Sequence, residues 1–245
     1  MTALDGHIVV SGGGTGVGAA TAHALVEAGA KVTILGRTEA SLKAQNLPYQ
    51  VCDVTDREAV FAAFTAAAEQ NGQITGVVAN AGAAESVPFS KLTPEQLDAM
   101  MSVNLYGVVN CWQAGLAQMQ AGGRLVAIAS TAGLKGYPYV SAYCAAKHGV
   151  VGLTRSLAME LAGKDITVNA VCPGFVETPM LERSVANIIE KTGMSQDQAE
   201  RALRSGNPQD RFIQVDEVAQ SVVWLMSDAA RSVNGHCLSI SGGEI

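Results

Sequence analysis

Residues 7–30 read HIVVSGGGTGVGAATAHALVEAGA. A β-branched run from His7 to Ser11 gives way to glycines at 12, 13, 14, 16 and 18, then to an alanine-rich stretch of helical length. Strand, glycine-rich turn and helix make the opening of a βαβ crossover. Glycine lets backbone N–H groups approach a pyrophosphate, and the helix N-terminus adds partial positive charge, so this turn is a candidate dinucleotide site. The spacing fits both G12-x-x-x-G16-x-G18 and G14-x-G16-x-x-A19. Its place between a strand and a helix distinguishes it from an ordinary glycine-rich turn. No Gly-Lys-Ser/Thr follows, which excludes a triphosphate loop, and no G-x-S-x-G elbow surrounds Ser130.

Outward from this unit the same alternation repeats. HIVVS, KVTIL, YQV, GVVAN, RLVAIAS, ITVNAVC and HCLSI read as seven strands, and helical patterns begin near Gly16, Glu39, Asp56, Pro94, Ala142 and Asp216. Strict alternation predicts an α/β, doubly wound, mostly parallel seven-stranded sheet of the Rossmann type with helices on both faces. Thr93 before Pro94, with Gln96 completing a capping box, fixes one helix start. Only residues 178–207 break the rhythm. They read as one or two amphipathic helices, too long for a plain connection, and are expected to form a substrate lid within a single domain spanning 1–245.

Composition narrows the function. The 245 residues are 48% hydrophobic and 16% charged, which supplies ample core for one α/β domain. Net charge is −6, from 16 basic against 22 acidic residues, with no basic cluster, so small molecules are expected as partners rather than nucleic acid or an anionic membrane. No apolar run approaches the about 18 residues of a membrane span, and MTALDGHIVV lacks the pattern of a signal peptide, so the expected compartment is the cytoplasm. Cysteines 52, 111, 144, 172 and 237 are scattered without C-x-x-C spacing and read as reduced thiols. Histidines 7, 23, 148 and 236 are equally dispersed, and no metal is expected.

Within SAYCAAKHGVVGLTRSLAMEL (141–161), Tyr143 and Lys147 lie one helical turn apart on the same face. A cation held there is expected to favour tyrosinate and lower the hydroxyl's pKa. Y-x-x-x-K alone recurs by chance, and a surface tyrosine beside a solvated lysine would give the same spacing. The surrounding motifs decide between them. The glycine-rich turn Gly12, Gly16, Gly18, then Asp53, the NAG of 80–82, Asn104, Ser130, Tyr143, Lys147, the PG of 173–174 and Thr178 occur in an order and spacing that resemble the short-chain dehydrogenase/reductase family. The likeness spans almost the whole chain, and Tyr143 lies 13 residues after Ser130, a usual separation there. Ser11 and Ala146 depart from commoner threonine and serine without removing a reactive group.

The resemblance implies roles. Tyr143 would be the general acid in ketone reduction and the base in alcohol oxidation. Lys147 would lower its pKa and hold the nicotinamide ribose, Ser130 would hydrogen-bond the carbonyl oxygen, and Asn104 would seat a water leading toward Lys147. The implied cofactor contacts are Gly12, Thr15, Gly16, Val17 and Gly18 in the turn, Asp53 and Val54 at the adenine, Asn80, Ala81 and Gly82 beneath the cofactor, and Pro173, Gly174, Val176 and Thr178 around the nicotinamide. Asp53 also reads as a turn residue and Asn80 as a capping side chain. Gly36 and Arg37 end the second strand, where an acidic residue would accept the ribose hydroxyl of NAD(H); a guanidinium there points to the 2′-phosphate of NADP(H), with NAD(H) as the lesser option.

The expected reaction is interconversion of a ketone and a secondary alcohol. The chain looks most like bacterial 3-oxoacyl reductases and 3-hydroxyacyl-CoA dehydrogenases, so a CoA or carrier-protein thioester is the expected substrate. A sugar or cyclic-alcohol dehydrogenase and a non-catalytic NADP(H)-sensing regulator are the alternatives. By the same resemblance, helices near 94–120 and 142–162 would form a homotetramer interface.

Overall fold

The computed structural model describes residues 4–245. Seven strands form one sheet: β1 (His7–Ser11), β2 (Lys31–Gly36), β3 (Tyr49–Val51), β4 (Ile74–Ala79), β5 (Arg124–Ile128), β6 (Thr167–Pro173) and β7 (Cys237–Ile240). Their order is β3-β2-β1-β4-β5-β6-β7, and every pair is parallel. The central strands β1, β5 and β6 are buried at every position, which is why they read as continuous apolar runs rather than alternating ones.

Two hydrophobic cores sandwich the sheet. Val60 and Phe64 of α3 (Arg57–Asn71), Trp112 of α5 (Gly107–Gln118) and Val150 of α6 (Ser141–Leu161) pack on one face. Ala22 and Leu25 of α1 (Gly16–Glu27) and Val218 and Val222 of α9 (Val215–Met226) pack on the other. The short α2 (Glu39–Lys43) follows β2. The chain runs outward through β1, β2 and β3, then returns to place β4 on the opposite side of β1. This reversal opens a crevice between the carboxyl ends of β1 and β4, the place where such sheets bind ligands.

Two features differ from simple helical reading. The helix from Pro94 keeps its capping box, with Thr93 and Gln96 bonded reciprocally, but α4 (Pro94–Met101) passes into a π-turn at Ser102–Tyr106 before α5 begins. Residues 94–120 are therefore two helices with a wide turn between them. The insertion forms α7 (Pro179–Thr192) and α8 (Gln196–Arg204), which bury Leu181, Val185 and Ala199 in a small core of their own with Phe175 and Phe212. Among the described residues no helix is long and apolar enough to cross a membrane.

Candidate active site

The glycine-rich turn is shaped by backbone contact. Gly12 and Gly16 have φ of +65° and +53°, the left-handed region where a side chain is strained. A Cβ on Gly18 would collide with the Gly12 carbonyl oxygen and the Asn80 amide, and one on Gly13 would lie 2.6 Å from Ile34. The turn is held from β4 by Asn80, whose Nδ2 donates to the Ser11 and Gly12 carbonyls at 3.0 and 3.2 Å. Ser11 returns the link: its Oγ accepts from the backbone N–H groups of Asn80 and Ala81 at 3.0 and 3.1 Å. Sequence reading noted Ser11 only as a departure; its hydroxyl is the tie between the first and fourth strand ends. Thr15 ends the turn as the extended residue before α1 and makes no side-chain cap, so the helix N-terminus is uncapped by Thr15. Val17 lies in the first turn of α1 and packs on the α1/α9 core.

Just past β2 and β3, Arg37 lies 3.8 Å from Asp53, and both side chains are substantially exposed. Asp53 Oδ1 accepts from the Thr55 N–H and hydroxyl at 2.9 and 2.8 Å. Burial alone would raise the Asp53 pKa, but the Thr55 bonds and Arg37 outweigh it and hold the carboxyl below its ordinary value. Val54 is buried, and its carbonyl accepts from Asn110 Nδ2 at 2.9 Å. That support comes from α5, 56 residues away, and no local pattern announces it.

Ser130, Tyr143 and Lys147 meet at the carboxyl end of β5. Ser130 Oγ accepts from the Ala132 N–H at 3.1 Å, which leaves its own proton free to donate. The ammonium of Lys147 sits 5.7 Å from the Tyr143 ring centre and donates to the Ile128 carbonyl at 2.8 Å. Lys147 is 3% exposed. Gly82 lies between Lys147 and Asn104: a Cβ on it would be 2.8 Å from Asn104 Oδ1 and 3.7 Å from Lys147 Nζ. The fully buried Asn104 amide donates to the carbonyls of Ala83 and Met100 at 2.9 and 3.0 Å, while its Oδ1 accepts from the Ala83 N–H at 3.2 Å. Its side chain thus braces the loop after β4 from within the π-turn.

The expected lowering of the Tyr143 pKa is corrected by this geometry. Burial pushes the Tyr143 hydroxyl up to about 12, with the neighbouring Ser130 hydroxyl acting the other way. Burial likewise pulls the Lys147 ammonium down to about 8. The lysine lies over the ring and bonds a backbone carbonyl, and burial dominates at the phenol.

Beyond β6, Pro173 ends the strand and the Gly174 N–H donates to the Ile240 carbonyl at 3.0 Å. Val176 bridges to Ile213, parallel to the strands. Thr178 caps α7: its Oγ1 accepts from the Leu181 N–H at 3.4 Å and donates to the Val176 carbonyl at 3.1 Å. A Cβ on Gly16 would lie 3.3 Å from Thr178 Cγ2, so the base of the insertion faces the phosphate-type turn across the crevice. Contacts thus link the glycine-rich turn through Asn80 to β4, through Gly82 to Asn104 and Lys147, and through Gly16 to Thr178.

Comparison with known proteins agrees with this geometry. The family model described as enoyl-(acyl carrier protein) reductase matches residues 12–244. The chain is 36% identical over 254 residues to 2,5-dichloro-2,5-cyclohexadiene-1,4-diol dehydrogenase of Sphingobium indicum, covering 99% of this chain and 98% of that protein. It is 34% identical over 254 residues to the 3-oxoacyl acyl-carrier-protein reductase of Thermotoga maritima, covering 99% of each. Among solved structures, levodione reductase superposes with a TM-score of 0.92 at 34% identity over 97% of this chain and 96% of that one. An actinorhodin polyketide ketoreductase variant with NADPH gives 0.92 at 32% identity over 98% and 97%. The chain belongs to the short-chain dehydrogenase/reductase family and is an oxidoreductase that interconverts a ketone and a secondary alcohol.

Proposed function

We propose that the protein is an NADP(H)-preferring reductase of 3-oxoacyl thioesters or similar small ketones. The observation that carries this reading is the pairing of Ser130 and Tyr143 hydroxyls above a buried lysine at the sheet's carboxyl end. A nicotinamide cofactor, when bound, supplies the hydride that reaches the carbonyl carbon. The turn suits such a group because Gly12 and Gly16 take left-handed backbone conformations, Gly18 lets the turn close on the Gly12 carbonyl, and Thr15 leaves the α1 N-terminus without a side-chain cap. Tyr143, kept protonated by its burial, gives its proton to the carbonyl oxygen as negative charge develops there. The free Ser130 proton donates to the same oxygen. Lys147, held by the Ile128 carbonyl, would bind the ribose hydroxyls of the cofactor, and Asn104 would seat a water leading toward it. In alcohol oxidation each proton runs the opposite way.

Preference for NADP(H) is supported by Arg37, whose weak, exposed pairing with Asp53 leaves the guanidinium available to a phosphate. Ser41 lies against Gly14 on the same side, where its Oγ would be 2.8 Å from a Cβ on that glycine. The NADPH-bound polyketide ketoreductase supports the same assignment. A thioester substrate is supported by the Thermotoga relative. A second reading, a cyclic alcohol or ketone, is supported by the 36% identity to a cyclohexadiene-diol dehydrogenase. The separate core of α7 and α8 supports their action as a lid, closing over substrate. Exposed Leu97 and Tyr106 beside α4 and α5, and Met159 on α6, support assembly through these helices as a homotetramer.

The test is NADPH and NADH oxidation with acetoacetyl-CoA, a cyclic ketone and a keto sugar. The thioester with NADPH is expected to give the highest kcat/KM. Superior turnover of the cyclic ketone selects the second reading, and cofactor binding without turnover of any ketone rejects both.

A further inference from the structure

Glu244, in the turn after β7, carries a carboxylate with only 5% of its side chain exposed. Its Oε1 accepts from Lys135 Nζ at 2.7 Å and from the Tyr137 hydroxyl at 2.8 Å. Since the Tyr137 proton goes to the carboxylate, the Thr131 hydroxyl, 2.7 Å away, donates to the Tyr137 oxygen. A chain of donors thus runs from the residue next to Ser130 to Glu244. The Tyr137 ring is gripped as well. Lys135 Nζ lies 4.9 Å from its centre, and it packs edge-on against Phe175 with centroids 6.2 Å apart.

The same carboxylate touches two further segments. A Cβ on Gly206, just past α8, would lie 2.6 Å from Oε1, and one on Gly174, just past β6, would lie 3.5 Å from Oε2. Gly242 and Gly243, with φ of +64° and +98°, turn the chain so that Glu244 points inward, and Gly242 presses on Asn207 at the end of the insertion. A carboxylate is buried at a large desolvation cost unless paired, so the three segments are held to the arrangement that supplies its partners.

We propose that Glu244 is a positioning residue for ketone reduction: its buried carboxylate clamps the Ser130–Tyr143 loop, the segment after β6 and the end of the insertion into one arrangement. Ser130 is held at the substrate carbonyl while the insertion is seated. The proposal rests on the reading of Ser130 and Tyr143 as the groups that meet the carbonyl.

Glu244→Gln, Lys135→Met and Gly206→Ala test it. Glu244→Gln and Lys135→Met remove the ion pair. Gly206→Ala keeps every polar group and displaces the carboxylate from the other side. Each is expected to lower kcat for acetoacetyl-CoA reduction by about 10–100-fold, as small misplacements of reacting groups do, with NADPH affinity within about twofold of wild type. The Lys135→Met/Glu244→Gln double variant is expected to be no worse than the worse single one. In hydrogen exchange, residues 131–140 and 196–206 should lose protection together in Glu244→Gln. Wild-type kcat in Glu244→Gln or Gly206→Ala, or lost protection confined to 241–245, would overturn the clamp. The exchange measurement needs no turnover: a wild type inactive on every ketone would reject the reductase reading while exchange still decides the clamp.

Discussion

The two walls of the crevice are built by different physics. On the β1–β4 wall, backbone meets backbone: Gly18 touches the Gly12 carbonyl, Asn80 and Ser11 stitch two strand ends together, and the strands behind them belong to the two large cores. The opposite wall is made of side chains on α7, α8 and the loops after β5 and β6, with a core of Leu181, Val185 and Ala199 separate from the others. The first wall tolerates almost no added atom. The second rests on its own small core, apart from the two that flank the sheet.

Substitutions that act on one wall alone sharpen this contrast. The largest effect is expected from Gly18→Ala, whose methyl must displace the Gly12 carbonyl; overpacking of this kind costs about 1–3 kcal/mol of stability. Denaturant unfolding and NADPH titration should both register it, and a fully stable variant that binds NADPH normally would break the account of that wall. Next is Arg37→Ala, expected to weaken NADPH binding by roughly 10–150-fold, the equivalent of a charge-assisted bond of about 1.5–3 kcal/mol, with NADH binding little changed. Equal loss of both cofactors would remove the phosphate contact.

Lys147 gives an effect of opposite sign. Its folded value of about 8 lies below the ordinary 10.5, so between those pH values the unfolded chain holds a proton that the folded one has released. Stability therefore rises with pH across that window and is lowest below about pH 8. Lys147→Met is expected to abolish the rise and to stabilise the cofactor-free protein near pH 7 by about 1–3 kcal/mol, at the expense of turnover. Thermal melts from pH 6 to 10 would show it; identical pH dependence in both proteins would contradict the buried ammonium. Smallest of all on global unfolding should be Leu181→Ala. Because the insertion has its own core, its loosening is capped by local opening, so Tm should move by no more than about 2 °C while α7 and α8 lose hydrogen-exchange protection. A large fall in Tm would show that the insertion and the sheet unfold as one.

The same contrast explains what was legible in the sequence. The seven strands, their parallel direction and the phosphate-type turn could be read because buried parallel strands and glycine-rich turns leave local signatures, and His7–Ser11, Tyr49–Val51 and the Thr93 capping box stand where their patterns place them, while β4 starts at Ile74, two residues before GVVAN. The crevice residues from Arg37 to Thr178 could be read only as an ordered set, since each alone has an ordinary alternative. The supports could not. Ser11, Asn110 and Glu244 act across 69, 56 and 107 residues, respectively, and nothing near them in the chain names their partners. The π-turn at Ser102–Tyr106 was hidden because its residues suit a helix, and the side-chain bond of Asn104 to Met100 appears only in three dimensions. The Tyr143 pKa was misjudged because helical spacing fixes a shared face but not how deeply the fold buries the hydroxyl.

Tyr143→Phe tests the central claim most directly, since it deletes one oxygen from the reacting side and leaves the glycine cradle intact. Reduction of acetoacetyl-CoA at saturating NADPH should fall about 100-fold or more, in line with general-acid contributions of roughly 10²–10⁴, while the NADPH Kd stays within about twofold of wild type. Near wild-type turnover in this variant would contradict Tyr143 as the proton donor and, with it, the division of labour between the two walls.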